Sequence, residues 1–247
     1  MRLFPRSVGR RARIASTVAV AVVVSGSLIA ASAFGAQSKG SAAGSVTRVG
    51  DVQLIGVKET EAMLKGIPQA GAWIGTDKAP IQMVVFADMQ CPYCKQFDVE
   101  VNPTVVKEFI KPGKVRLFFS GMDFIGKDST RGLKAAAAAA NQNKLWNMVT
   151  LLFTNQGAEN KGWLTDKMVE AVAKSIPGLN YAKFNKDFKG KGVEDRLKTW
   201  ASLASSAGVS STPTFFAGTK GKLGTLGVTS LDPAQFRSAL TKLVTAK

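Results

Sequence analysis

Two cysteines separated by two residues, Cys91 and Cys94, are the only cysteines in the 247 residues. They follow an apolar run, residues 81–86, that predicts a buried strand, which places the pair at the start of the next helix. A sulfur at the first turn of a helix lies near unpaired backbone N–H groups and the positive end of the helix dipole, which favour a thiolate. Since the thiolate is the nucleophile of thiol–disulfide exchange, Cys91 is the candidate nucleophile. Cys94, one turn further along, is the candidate resolving thiol.

Two other roles for the cysteine pair have to be weighed. A structural disulfide across so short a loop removes little chain entropy and would stabilise the fold only weakly. A zinc site needs about four ligands, and a chain with two Cys and no His could complete one only through carboxylates or a second subunit. Scattered Asp and Asn residues show no regular calcium-loop spacing. Redox chemistry is therefore the favoured interpretation, and neither a metal at the cysteines nor a cofactor is expected, while a structural ion held by scattered Asp and Asn stays an open alternative.

The N-terminal residues carry a targeting pattern. Five arginines precede an uncharged stretch rich in Ala and Val, residues 14–38, and Ala31-Ser32-Ala33 provides a small-x-small cleavage site. The uncharged stretch is also long enough to cross a bilayer, which takes about 20 residues. Residues 1–33 are therefore predicted to be a signal peptide or an N-terminal membrane anchor. The positive-inside rule then leaves the remainder outside the cytoplasm, secreted or anchored to the cell membrane facing outward.

The remaining chain reads as a linker followed by one domain. Residues 34–46 are mostly Gly, Ser and Ala, which predicts a flexible linker, and residues 47–247 are of a length typical of a single domain. The formal net charge is +16, and removing residues 1–33, which hold five Arg and no acid, leaves +11. The lysines are scattered without the aromatic residues of a single-strand binder. No nucleic-acid partner is expected, and the positive surface favours at most an anionic envelope.

The pattern of elements predicts a sheet interrupted by helices. The expected order is a strand, the helix that begins at the cysteines, a strand, a helical block, two strands and a closing helix; the strands are placed at 81–87, 115–120, 214–217 and 223–228, and the helical block at about 126–208. Asn102-Pro103 is expected to kink or divide the cysteine-bearing helix. Asp128 or Ser129 is expected to cap the first inserted helix, and residues 232–235 to form a capping box.

In this order the chain resembles the thioredoxin fold, and with the insertion and the export signal it resembles the DsbA-like family of extracytoplasmic thiol-disulfide oxidoreductases. The resemblance covers roughly residues 66–244. Its most specific stretches are Phe-Ala-Asp-Met-Gln-Cys-Pro-Tyr-Cys at 86–94 and Gly-Val-Ser-Ser-Thr-Pro-Thr-Phe-Phe at 208–216. The implied fold class is α/β, a thioredoxin-like mixed sheet flanked by helices, with an inserted helical subdomain.

The resemblance also implies the layout of the site. It implies that the Thr212-Pro213 bond is cis and faces the cysteine pair, where the backbone of Thr212 would bind an extended substrate segment as an added strand. It further implies a partly exposed Cys91 and a buried Cys94. Pro92 lies at the first helical position, where its missing N–H costs nothing.

This chain departs from the best-known family members in two respects. They carry His where this chain has Tyr93, and with no His available we expect Tyr93 to tune Cys91 only modestly, giving a milder oxidant. Thioredoxin-fold enzymes also often carry a buried carboxylate six residues before the nucleophile, a position that is Val85 here. The nearest acid, Asp88, is a candidate proton relay for Cys94, although a solvated or capping carboxylate is the favoured interpretation.

The resulting hypothesis is an enzyme that exchanges disulfides with exported proteins as a dithiol oxidant. The resemblance implies reoxidation by a membrane quinone-linked partner. Because Pro-Tyr also separates the cysteines of glutaredoxins and of some isomerases or reductases, an envelope disulfide reductase or isomerase remains an alternative. A further alternative is a non-catalytic, tethered module that binds clients in the groove at Thr212 and Pro213.

Overall fold

The computed structural model describes residues 44–246. The expected signal peptide or anchor and most of the expected linker lie outside these residues, and the first strand begins at Val46, the last residue of that linker. Within the described part of the chain, no helix is both long enough and apolar enough to cross a membrane.

Short strands and helices alternate along the chain. The strands are β1 Val46–Val49, β2 Val52–Ile55, β3 Gln69–Ala70, β4 Trp73–Ile74, β5 Ile81–Asp88, β6 Val115–Met122, β7 Thr214–Thr219 and β8 Lys222–Thr225. The helices are α1 Val57–Leu64, α2 Pro92–Gln96, α3 Asn102–Val105, α4 Lys127–Ala140, α5 Leu145–Thr154, α6 Asp166–Ser175, α7 Tyr181–Phe188, α8 Lys191–Ser206 and α9 Pro233–Thr245.

The main sheet is mixed, with strand order β3-β4-β6-β5-β7-β8, while β1 and β2 form a separate hairpin. β5 is parallel to β6 and antiparallel to β7. Every residue of β5 is buried, because helices cover both faces of a central strand, and this explains its uninterrupted apolar sequence. The predicted α/β fold class with a helical insertion is confirmed. The hairpin and the two-residue strands β3 and β4 were not predicted.

The cysteine-bearing helix is divided, as the Asn102-Pro103 pair predicts. Two π-helical segments, Phe97–Val101 and Val106–Ile110, flank α3. Pro103 has no N–H to donate to the preceding turn, so a regular α-helical ladder cannot run through this point. The helical direction nevertheless continues from α2 to Ile110, and its buried face stays in the core.

The helical insertion α4 to α8 packs directly on the sheet. The ring of Phe119, on β6, makes T-shaped contacts with the rings of Trp146 and Trp200, which belong to α5 and α8. Residues 135–140, the alanine run of α4, are buried, because small side chains allow close helix packing. The prediction that Asp128 or Ser129 caps α4 is wrong: the cap residue is Gly126, and it makes no side-chain cap bond.

The closing helix α9 covers the cysteine-bearing helix and β7. Phe236 packs against both Phe97 and Phe215, with ring centroids 5.5 and 4.9 Å away. Asp232 caps α9 by accepting from the backbone N–H of Ala234. The reciprocal half of the predicted capping box is wrong, since Gln235 accepts from the N–H of Thr229 instead.

Candidate active site

The ends of two neighbouring strands bring the two sequence motifs together. Phe86 of β5 pairs with Thr214 of β7, so the segment before β7 lies beside the loop that follows β5. In this arrangement the Sγ of Cys91 lies 3.4 Å from the carbonyl oxygen of Thr212. The Thr212-Pro213 peptide bond is cis in the structure. Sheet register therefore joins residues that are 121 positions apart in the chain.

Cys91 occupies the cap position at the start of α2, directly before Pro92. It is only 5% exposed, so the expectation of a partly exposed nucleophile is wrong. Hydrogen bonding with the thiol of Cys94 is the main cause that lowers the Cys91 pKa, to about 6, with help from the Thr212 side chain and two backbone N–H groups and against the opposing effect of burial. The contact with the Thr212 carbonyl belongs to the protonated thiol, since a thiolate has no proton to donate.

Cys94 is the inner sulfur of the pair. It is 1% exposed, in agreement with the expected burial. Burial raises the pKa of its thiol well above the ordinary value, and the neighbouring Cys91 raises it further. The pKa values of the two sulfurs are therefore shifted in opposite directions, so that Cys91 is a thiolate at neutral pH and Cys94 is a thiol.

The two residues between the cysteines contribute mainly through the backbone. Pro92 is the first residue of α2, and the side chain of Tyr93 is 63% exposed. Tyr93 lowers the Cys91 pKa through its backbone N–H. The modest tuning expected from Tyr93 therefore comes from its backbone N–H at the start of α2.

Asp88 lies at the end of β5, where the expectation of a solvated carboxylate is wrong and that of a capping carboxylate is confirmed. Its side chain is completely buried and accepts hydrogen bonds from the backbone N–H groups of Gln90 and Ile125 and from the hydroxyl of Ser129. Burial raises its pKa, and these bonds oppose the rise. The bond to Gln90 caps the turn into the cysteine motif, so Asp88 orders that loop and links it to α4.

Two glutamines that sequence reasoning missed hold the same loop. The Nε2 of Gln156 donates to the carbonyl oxygens of Met89 and Cys91, at 3.0 and 3.2 Å. The Oε1 of Gln90 accepts from the backbone N–H of Asn160 at 2.8 Å. Both contacts join the loop to the segment after α5. The sequence carries no signal for them, because polar residues in a loop some 65 positions away have no periodic relation to the cysteines.

A shallow groove of about 440 Å³ opens beside the motif. Its lining combines the exposed face of α2, the start of β7 and the segment before α9, and includes Tyr93, Gln96, Pro213, Phe215 and Leu231. The groove places apolar surface next to Cys91, with the Thr212 backbone beside the sulfur. The groove leaves room for an extended peptide segment near the Thr212 backbone.

Cys91 is a thiolate with a low pKa, Cys94 is a buried thiol, and both lie at the end of a strand in a thioredoxin-type sheet. This combination defines a thiol-disulfide oxidoreductase. The comparisons with known proteins agree. A family model described as thioredoxin matches residues 69–241. The probable disulfide bond formation protein D of Bacillus cereus is 32% identical over 146 residues, which cover 58% of this chain and 68% of the relative. This chain belongs to the thioredoxin family and, within it, to the DsbA-like thiol-disulfide oxidoreductases.

Solved structures show the same fold. The crystal structure of oxidised BdbD from Bacillus subtilis superposes with a TM-score of 0.62 at 22% identity, covering 72% of this chain and 97% of that chain. The structure of α-DsbA1 from Wolbachia pipientis superposes with a TM-score of 0.61 at 20% identity, covering 76% and 96%.

Proposed function

We propose that this enzyme works outside the cytoplasm, where it oxidises thiols of exported proteins through Cys91 and Cys94. The observation that carries the proposal is the lowered Cys91 pKa, about 6, at a sulfur that lies beside Thr212 and the peptide groove. The low pKa makes Cys91 a good leaving group, and stabilising its thiolate stabilises the reduced enzyme. A disulfide that is reduced favourably is an oxidant.

Each step of the oxidation follows from the positions of the two sulfurs. A substrate thiolate attacks the Sγ of Cys91 in the disulfide form, the bond to Cys94 breaks, and Cys94 takes up a proton. A second thiolate of the substrate then attacks the substrate sulfur of the mixed disulfide. Cys91 leaves as a thiolate, and the substrate gains a disulfide while the enzyme becomes the dithiol.

The N-terminal sequence supports the location of this activity. The arginines and the uncharged stretch within residues 1–38 are typical of an exported or membrane-anchored chain, and disulfides persist in oxidising, extracytoplasmic compartments. The reduced enzyme must be reoxidised to turn over. We assign this step to a membrane quinone-linked partner, which would meet Cys91 through the same groove.

Trapping the mixed disulfide tests the substrate class. In the Cys94→Ala variant the resolving thiol is absent, so complexes between Cys91 and exported proteins should accumulate in intact cells and disappear on reduction. The matched Cys91→Ala variant, which keeps the buried sulfur, should trap nothing. Equal trapping by both variants, or trapping of cytoplasmic proteins alone, would overturn the proposal.

The direction of electron flow is tested by equilibrating the purified enzyme with glutathione buffers. We expect a reduction potential closer to the value of about −120 mV of a strong dithiol oxidant than to the value of about −270 mV of thioredoxin. A potential near or below −270 mV would instead identify the chain as an envelope reductase.

A further inference from the structure

Cys94 must gain and lose a proton during thiol–disulfide exchange, and the cysteine pair alone does not provide a group for this transfer. Its sulfur is 1% exposed and its pKa is raised well above the ordinary value by burial. In each exchange cycle this sulfur leaves or attacks as a thiolate, so a proton has to reach it or depart from it inside the core. Proton transfer by a positioned group typically contributes about 10² to 10⁴ in rate.

The groups first expected to carry this proton are not suited to it. The chain contains no His, and the strand position that holds a buried acid in related folds is Val85. Asp88 is buried, but both of its oxygens accept hydrogen bonds: Oδ1 accepts from Gln90 and Ser129, and Oδ2 accepts from Ile125. These bonds fix Asp88 to the loop and to α4.

Asp98 has the properties that Asp88 lacks. It follows Cys94 by four residues along the same buried helix face, and side chains at that spacing are neighbours with Cβ atoms about 5 to 6 Å apart. Helical side chains also lean toward the N-terminus, which directs Asp98 toward the turn that holds Cys94. The residue is 2% exposed and lies in the π-helical segment Phe97–Val101.

The hydrogen bonds of Asp98 leave one oxygen free to exchange a proton. Oδ1 accepts from the Nδ2 of Asn102 and the Oγ1 of Thr150, at 3.1 and 3.3 Å. Oδ2 has no partner among the described residues, and neither does the Oδ1 of Asn102 in the same cluster. A protonated Oδ2 is a donor, whereas an ionised one would be a buried charge without a partner. Burial accordingly raises the pKa of Asp98 to about 7.

The elements packed against this segment supply no competing charge. They are α2, α3, α5 and α9. Neither α3 nor α5 contains an ionisable residue. On α2, Lys95 donates to the carbonyl of Gln156, and Tyr93 faces solvent. On α9, Arg237 pairs with Glu108 at the surface and Lys242 is exposed. Among these elements, Cys94 is the buried titratable group nearest to Asp98 in the chain.

We propose that Asp98 accepts and returns the proton of Cys94 during thiol–disulfide exchange, which deepens the function proposed above and rests on it. When Cys94 resolves a mixed disulfide, its S–H proton passes to the Asp98 carboxylate, directly or through one water molecule. The Cys94 thiolate then attacks the Sγ of Cys91, the Cys91–Cys94 bond forms, and the substrate leaves as a thiolate. In the oxidising direction the bond breaks, Cys94 leaves as a thiolate, and the neutral Asp98 protonates it.

The test measures the reactions of Cys91 and Cys94 separately, by stopped-flow reaction of the reduced whole chain with dithiobis(nitrobenzoate). The first equivalent of released chromophore reports attack by Cys91, and the second reports resolution by Cys94. In the wild type, the resolution rate should rise with pH to an inflection near 7. In Asp98→Asn the first phase should be unchanged, the resolution should be about 100-fold slower or more at pH 7, and the inflection should be absent. The Thr150→Val variant removes one donor to the carboxylate, so its inflection should persist at a higher pH.

The outcomes distinguish this inference from the proposed function. If no first phase appears in the wild type, the proposed function fails. If Asp98→Asn shows the wild-type resolution rate and inflection, the proposal for Asp98 fails and the proposed function stands. If Asp98→Asn does not fold, the wild type is measured instead. NMR then follows the titration of the carboxyl carbon of Asp98. Its titration midpoint, near pH 7, should move when the Cys91–Cys94 disulfide forms, and an unmoved midpoint overturns the proposal.

Discussion

At the scale of single residues, the reactivity of Cys91 is produced by close neutral donors. No histidine or other basic side chain is among the main causes of its lowered pKa, which are hydrogen bonds with Cys94, Thr212 and the first backbone N–H groups of α2. Each of these donors stabilises the thiolate more than the thiol, which lowers the pKa. The absence of His from the motif therefore does not leave Cys91 with an ordinary pKa.

The first prediction concerns the alkylation of Cys91 by iodoacetamide. In the wild type, the rate should follow a single ionisation near pH 6, because only the thiolate reacts. The Thr212→Val variant loses the hydroxyl that helps to lower the Cys91 pKa. A hydrogen bond to a charged group is worth about 1.5 kcal/mol, so the inflection should rise by about one pH unit. Mass spectrometry of the reduced protein over a pH series measures both values.

The matched control for this experiment is Thr214→Val. The side chain of Thr214 donates to the carbonyl of Ser211, so this variant makes the same chemical change two residues away. Its inflection should stay near pH 6. An equal rise in both variants would show that the segment, and not the Thr212 side chain, sets the pKa.

At the scale of elements, the parts with strong local signals were predictable. The alternation of helices and strands, the division of the cysteine-bearing helix at Asn102-Pro103 and the cap of α9 at Asp232 follow from periodicity, proline and capping residues. The strands β3 and β4 have two residues each, too few to show any period. The contacts of Gln156 with Met89 and Cys91 form only when α5 is in place, so they belong to tertiary packing and leave no trace in the local sequence.

The second prediction concerns the packing of α4 against the active-site loop. A Cβ added at Gly132 would lie 2.8 Å from the Cβ of Met89 and 2.7 Å from the Cδ2 of Leu164. Because the Cβ of Met89 is fixed to the loop backbone, the helix or the loop would have to move. Gly132→Ala should therefore lower the free energy of unfolding by about 1 to 3 kcal/mol, measured by urea denaturation.

Gly192→Ala is the control for that experiment. Gly192 also lies in a helix, α8, but an added Cβ there meets nothing within 4 Å. Helix propensity alone favours Ala over Gly by up to about 1 kcal/mol, so this variant should be as stable as the wild type or more stable. If Gly132→Ala is stabilised in the same way, α4 does not press on the loop as the structure indicates.

At the scale of the whole molecule, the insertion and the sheet form one structure around the cysteines. The hydroxyl of Ser129, on α4, donates to Asp88, and Gln156, just after α5, donates to the backbone of the cysteine loop. Phe119 joins β6 to the two tryptophans of the insertion. The redox state of two sulfurs is therefore expected to alter the stability of the entire domain.

The last prediction follows the stability of the domain with pH in both redox forms. The Cys91 pKa is about 6 in the folded dithiol and about 9 in the unfolded chain. A depressed pKa contributes stability that is complete above the unfolded value and is lost as the pH falls through the folded value. The disulfide form has no thiolate and lacks this contribution. Carboxyl groups other than Asp98 titrate in both forms and largely cancel in the difference, and the comparison is made in the Asp98→Asn background because the pKa of Asp98, about 7, falls within the same pH range.

Between pH 6 and pH 8, the free energy of unfolding of the dithiol should therefore increase by about 2 kcal/mol relative to that of the disulfide form. Parallel urea titrations of the oxidised and reduced protein at pH 6, 7 and 8 measure this difference. The Cys91→Ser variant, which cannot form the thiolate, should lose the pH dependence that distinguishes the dithiol. A difference between the two forms that stays constant with pH would mean that the folded state does not stabilise the Cys91 thiolate, and the argument for an oxidant would lose its thermodynamic basis.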